Sequence, residues 1–172
     1  MSSKGRSSSG RAALALLTLL AADIVAAAPR PMTLAGWDKA AVERARDGAL
    51  RRLQQPECQR VFSDFKDEQG RTLQEALAEW AESPAAYIEL VPFLDGSSQA
   101  NCRRPNVALS ASPGVRRVFV CKAFADFELR QPGVAESMVI HEILHTLGLG
   151  ESPMAGQPTS VEITQRVEAR CR

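Results

Sequence analysis

The chain is 172 residues long and close to charge balance, with 21 Lys and Arg against 20 Asp and Glu and two histidines in all. With that balance, nothing in the sequence resembles the clustered positive face that nucleic acid binding demands. The length is that of one domain with a single, modest core.

The first segment reads as removable. Lys4, Arg6 and Arg11 precede an apolar run from Ala12 to Ala22, and small residues crowd Val25 to Ala28. That order is the signature of a secretory signal peptide, with cleavage expected after Ala27 or Ala28. The run is shorter than the roughly 20 apolar residues of a spanning helix and is closed by Asp23, so no membrane span is expected. Removing residues 1–28 takes away Lys4, Arg6, Arg11 and Asp23 and leaves 18 basic against 19 acidic residues on a single domain over 29–172. Residues 29–54 read either as a pro-segment or as an N-terminal helix. The expected location is secreted or periplasmic.

The predicted elements follow in chain order. Over residues 37–54, Trp37, Ala41, Ala45, Ala49 and Leu53 recur at helical spacing, with Glu43, Arg44, Arg46 and Arg51 elsewhere. Thr72 and Glu75 have the spacing of a capping box, opening a second helix that presents Leu73, Ala76, Leu77 and Trp80. Tyr87 to Phe93 reads as strand-like. A polar loop separates it from a second short strand, Val107 to Ser110. Val115 to Cys121 is the best strand candidate, β-branched and aromatic and bounded by Pro113-Gly114. A largely apolar helix is predicted from Pro132-Gly133 to Gly148, a natural left-handed terminator. A second capping box, Thr159 with Glu162, opens a last helix with Ile163, Val167 and Cys171 on one face.

Four cysteines, Cys58, Cys102, Cys121 and Cys171, stand behind the leader. An even count in that setting reads as two disulfides. Three pairings are possible. The expected one joins Cys102 to Cys121, which flank a Pro/Gly/Ser-rich connection, and Cys58 to Cys171, tying an early segment to the last helix. No close Cys-Cys spacing supports cysteine ligands for a metal.

The chemistry is concentrated in His141-Glu142-Ile143-Leu144-His145, which holds both histidines of the chain. Histidines four apart on a helix lie one turn above each other, so both imidazoles can reach one ion. Glu142 projects beside them and can touch a water instead of the metal, the position of a general base. A pair of core histidines beside a helical glutamate is the plain alternative, and in an apolar setting it is costly, since each polar group would need a partner. A Ser-His-Asp site is excluded, because the motif uses both histidines and no Gly-x-Ser-x-Gly elbow is present. Arg103-Arg104 and Arg116-Arg117 read as short solvated basic pairs, with a phosphate or acidic-substrate role as the alternative.

The longer stretch HEILHTLGLGE resembles the metzincin-like branch of the zincin metallopeptidases, whose pattern is HExxHxxGxx followed by a third ligand. His141, Glu142, His145 and Gly148 match position by position, and Glu151 stands where most members carry histidine and a few carry aspartate. The resemblance covers roughly residues 115–151. It implies Zn2+ held by His141, His145 and Glu151, with Glu142 as the catalytic base. A carboxylate is an acceptable zinc ligand. In the related glutamate zincins the third ligand comes from a later helix, which keeps Glu162 and Glu168 as rivals beside Asp126. Those families also place a methionine beneath the metal. Met154 follows Glu151 too closely for that role and is expected to be an ordinary loop or core residue. Zincins seat substrate along an edge strand, so Val115 to Cys121 is expected to border the site.

The resulting expectation is an α+β fold, a small mixed or antiparallel sheet packed on a buried HExxH helix with flanking helices, zincin-like and held by two disulfides. Its activity would be zinc-dependent hydrolysis of peptide bonds by a monomer acting on a peptide or protein substrate. The competing readings are a secreted zinc-binding module without turnover and a disulfide-stabilised helical module without metal.

Overall fold

The computed structural model describes Leu34 and residues 36–172; the expected signal segment, residues 1–28, lies outside the described residues. Helix α1 spans Gly36–Leu53, followed by the short helices α2 (Pro56–Gln59), α3 (Val61–Asp64), α4 (Leu73–Ala78) and α5 (Pro84–Glu89). Three short strands come next, β1 (Phe93–Asp95), β2 (Leu109–Ala111) and β3 (Val118–Val120), and then helices α6 (Phe124–Arg130), α7 (Pro132–Thr146) and α8 (Ser160–Arg170). The class is α+β. The sheet is mixed and ordered β1-β3-β2, with β1 parallel and β2 antiparallel to β3.

Helix α7 is the axis of the fold. Every residue from Val139 to Thr146 is buried, as expected of a helix that is apolar on nearly all sides. It packs most extensively on α1 and is also covered by α6, α8 and β2. On α1 the small residues Ala41, Ala45 and Ala49, with Leu53, form the stripe against the core, so the two helices approach closely. Gly48 serves the same approach, because a Cβ there would fall 2.2 Å from the Glu136 carboxyl. That carboxyl accepts from Arg52 Nε at 2.7 Å, and Arg44 Nε donates to Glu128 of α6 at 3.1 Å.

The end of α7 follows from one glycine. Gly148 has φ +108°, a conformation that costs a residue with a Cβ. With it there, the Gly148 N–H reaches the His145 carbonyl at 2.9 Å and the Leu149 N–H reaches the Leu144 carbonyl at 3.3 Å. These are the two bonds of a Schellman motif. Asp67 supports the turn from outside, its Cβ 3.0 Å from where a Gly148 side chain would begin.

Both disulfides join the expected partners, Cys58 to Cys171 and Cys102 to Cys121, and no cysteine is free. Both capping boxes form, Thr72 with Glu75 and Thr159 with Glu162. Among the described residues no helix is long and apolar enough to cross a membrane.

Three expectations are corrected. Tyr87 to Phe93 is not a strand: Tyr87 to Glu89 close helix α5, and β1 begins only at Phe93. The cause lies upstream, where the Ser83 hydroxyl caps the Ala86 N–H at 3.1 Å and Pro84 occupies the first turn. Trp80 does not share the buried face of Leu73, Ala76 and Leu77. Helix α4 ends at Ala78, leaving Trp80 54% exposed with the Arg116 guanidinium 4.3 Å from its ring centre. Finally, only Val118–Val120 of the segment 115–121 is strand, and it lies in the middle of the sheet. The strand at the edge facing α7 is β2.

Candidate metal centre

Two turns of α7 put His141, Glu142 and His145 on the side that meets β2 and the loop after Gly148. All three are nearly closed to solvent, with 6%, 9% and 5% exposure. The imidazole Nε2 atoms of His141 and His145 face each other at 3.0 Å. Glu151 brings Oε2 to 3.3 Å from His145 Nε2 and 3.8 Å from His141 Nε2. A tetrahedral first-row ion with bonds of ~2.0–2.2 Å sets its ligands ~3.3–3.6 Å apart, so these separations straddle the required values. Among the described residues this cluster, His141, His145 and Glu151, can hold a metal ion.

The remaining ring nitrogens are fixed by neighbours. His145 Nδ1 lies 2.7 Å from the Leu149 carbonyl; a carbonyl only accepts, so Nδ1 carries the proton and Nε2 presents a lone pair. The Schellman turn at Gly148 is what brings the Leu149 carbonyl back onto His145. His141 Nδ1 faces the Thr164 hydroxyl of α8 at 3.0 Å. When Nδ1 donates there, His141 Nε2 also presents a lone pair, and three donor atoms converge on one point. Without a cation, the alternative is a His141 Nε2–H donated to His145 Nε2, with Thr164 donating to His141. The two states hold the same protons and differ in the tautomer of His141.

Glu142 stands apart from the cluster. Its Oε2 accepts the Ala111 N–H at 2.6 Å. Burial pushes its carboxyl above the ordinary glutamate range, against the pull of His141, His145 and the Ala111 N–H. Glu151 goes the other way: the neighbouring imidazoles, His141 first and then His145, hold its carboxyl low, and this outweighs partial burial.

The register of the sheet explains why Ala111 is available. Cys121 N–H bonds the Ala108 carbonyl at 2.9 Å, and Leu109 pairs with Val120. Antiparallel pairs alternate, so Leu109 and Ala111 turn their N–H and C=O groups away from β3. They face a cleft of about 270 Å³, lined by β2, His141, Glu142, His145, Glu151 and Met154. No residue from 115 to 121 lines it. A larger groove, about 920 Å³, runs between the Asp64–Gly70 segment and α8 and contains none of the three cluster residues.

The rival third ligands are elsewhere. Glu162 is exposed and accepts the Thr159 N–H at 2.7 Å, Glu168 is exposed on α8, and Asp126 is exposed on α6. Met154 is a half-exposed residue on the cleft rim. Sequence reasoning missed Thr164, the Leu149 carbonyl and Ala111. The first is a helical threonine 23 positions from its partner, and the other two act through the backbone, which carries no residue-type signal.

Comparison with protein-family models, with curated proteins and with solved structures finds no match for this chain.

Proposed function

We propose that the protein is an exported zinc-dependent peptidase of the zincin type, with His141, His145 and Glu151 as ligands and Glu142 as general base. The observation that carries this reading is the convergence of two imidazole Nε2 atoms and a carboxylate within 3.8 Å, beside a buried glutamate and an open strand edge. Two imidazoles and one carboxylate form a donor set found in catalytic zinc sites, which keep a position free for water or substrate. Two disulfides support a non-cytoplasmic setting, and the leader-like start makes secretion or the periplasm the finer reading.

Zinc, when bound, polarises a scissile carbonyl and makes a neighbouring water more acidic. The protein's own groups supply the rest. With Oε2 held by the Ala111 N–H, Glu142 keeps Oε1 to accept the proton of the attacking water and return it to the leaving amine. Its raised proton affinity suits both halves of that transfer. The free N–H and C=O of Leu109 can pair with an extended substrate backbone, as a strand added to a sheet edge does.

A second reading has an observation of its own. The bond from Ala111 to Glu142 also satisfies a buried carboxylate, and that is all a metal-binding module without turnover would require of it. Metal analysis of the disulfide-intact protein, followed by incubation with a mixed peptide library, separates the readings. The peptidase reading requires about one zinc per chain and cleavage that stops on chelation. Firm zinc binding with no cleavage favours the module, and no zinc binding defeats both.

A further inference from the structure

The cleft carries positive charge at one end. Arg104 lines it beside Asn101 and also lines an adjoining pocket of about 300 Å³ together with Arg103 and Lys122. Lys122 is distant from the arginines in sequence. The Cys102–Cys121 bond brings them together, since Arg103 and Lys122 each directly follow one of the bridged cysteines. The backbone there is fixed further: Arg104 N–H closes a short 3-10 turn onto the Asn101 carbonyl at 3.1 Å, and Asn101 Nδ2 donates to the Ser110 hydroxyl of β2 at 3.1 Å.

The arginines of α1 and α8 are matched with carboxylates of the chain, Arg44 with Glu128, Arg52 with Glu136 and Arg170 with Asp64 and Glu57. Arg103, Arg104 and Lys122 form no ion pair among the described residues. Lys66, Arg117 and Arg130 also form no ion pair among the described residues, so what separates this patch from an ordinary solvated face is its place at the cleft and the pocket beside it. One acid, Asp126, lines the adjoining pocket with them, against three cations. The charge of Arg104 is left for something that enters the cleft, and that of Arg103 and Lys122 for a part of it that reaches the adjoining pocket.

We propose that the cleft takes polypeptide segments bearing Asp or Glu side chains, which lie against Arg103, Arg104 and Lys122 while the backbone follows β2. The inference rests on reading the cleft as a peptide site and does not require turnover. An exposed charge pair contributes up to about five-fold in affinity, so three cations give an acidic peptide an advantage of ~10-fold or more over a basic one at low salt. Screening removes most of it at ~0.3 M salt.

The test uses the zinc-loaded Glu142→Gln protein, which retains a peptide site without consuming the probe. Two fluorescein-labelled peptides of equal length, with Glu or Lys at the same alternate positions, are titrated by fluorescence anisotropy at low and high salt. The expected result is ~10-fold tighter binding of the Glu peptide, falling with salt and reversing in the Arg103→Glu/Arg104→Glu/Lys122→Glu protein. All three positions are at the surface, circular dichroism verifies the fold, and Arg104→Ala alone should show a partial loss. Equal binding of the two peptides, or no binding of either, overturns the proposal. So does a preference that survives the triple change, since the carboxylates would then be binding the metal. A phosphoserine peptide that binds where the Glu peptide does not overturns it too, by making the patch a phosphate site. If the acid preference holds while the wild-type protein cleaves neither peptide nor any library member, the peptidase reading fails and this inference stands.

Discussion

The backbone N–H of Ala111 donates to Oε2 of Glu142 across 2.6 Å, joining the free edge of the sheet to the carboxylate beside the metal cluster. One strand residue thereby sets the orientation of the candidate base. Replacing Glu142 with glutamine preserves size and an acceptor for Ala111 while removing the base. If the proposed chemistry holds, Glu142→Gln binds zinc like wild type and loses ~10²-fold or more in turnover, the usual scale for an acid–base group. Equal turnover in the two proteins would sink the mechanism.

Zinc stoichiometry should follow the cluster and not the rival acids. His141→Ala and His145→Ala are expected to abolish stoichiometric zinc after dialysis, and Glu151→Ala to weaken it. Asp126→Ala, Glu162→Ala and Glu168→Ala should leave it intact, because these acids stand away from the imidazoles. Nitrogen-15 shifts of the two rings give an independent readout. On zinc addition both Nδ1 atoms should appear protonated and both Nε2 atoms metal-bound. A ring that binds through Nδ1 would contradict the hydrogen bonds to Thr164 and Leu149.

How much of this was legible in the sequence depended on range. The capping boxes at Thr72 and Thr159, the glycine stop at 148 and the histidines one turn apart on α7 are local patterns, and each formed as read. Tyr87 departs from the expected strand because a short apolar run satisfies helix and strand alike, and the Ser83-Pro84 start decides for helix. Helix α6 has no side-chain cap and gave no signal. That β2 and not β3 borders the cleft is settled by strand pairing between distant segments, on which a linear pattern is silent. Glu151 stood out because it lies close to the motif; Thr164 approaches His141 only through the packing of α8 on α7.

That packing gives a test of its own. Groups that fix the second nitrogen of a ligating histidine typically contribute 10–100-fold to metal affinity. Thr164→Val keeps the shape of the side chain and removes the hydroxyl, so zinc affinity measured by chelator competition should fall within that range. Thr164→Ser should restore most of it. A valine variant with unchanged affinity would show that His141 needs no such partner.

The cysteines should be fully paired, with no thiol titrating in the native protein, and the two bonds should differ in worth. In the chain-entropy account, the separation of 19 between Cys102 and Cys121 corresponds to about 3 kcal/mol and that of 113 between Cys58 and Cys171 to about 4.8 kcal/mol. Cys58 with Cys171 also anchors the end of α8, the helix that carries Thr164. Paired serine variants compared by urea denaturation should therefore show the larger loss for Cys58→Ser/Cys171→Ser. The reverse order would mean that strain or residual structure outweighs loop closure.

Acid sensitivity should be traceable to Asp67. Its buried carboxylate accepts the Gln69 and Arg71 N–H groups, each at 2.9 Å, and Arg71 Nε at 2.8 Å. Burial works against the charge, but the bonds from Arg71 and Gln69 outweigh it and hold the pKa below the ordinary aspartate value. A carboxylate with a depressed folded pKa contributes stability that is complete above its unfolded pKa, ~3.9, and disappears as pH falls through the lower folded value. Asp67→Asn should thus be destabilised at pH 7 by ~1–3 kcal/mol, the scale of a charged hydrogen-bonded group. The gap between wild type and variant should narrow as pH drops below ~4. Because Asp67 abuts Gly148, the same variant should speed hydrogen exchange at the Gly148 and Leu149 amides that close α7. A gap in stability independent of pH would assign the loss to packing and not to the charge.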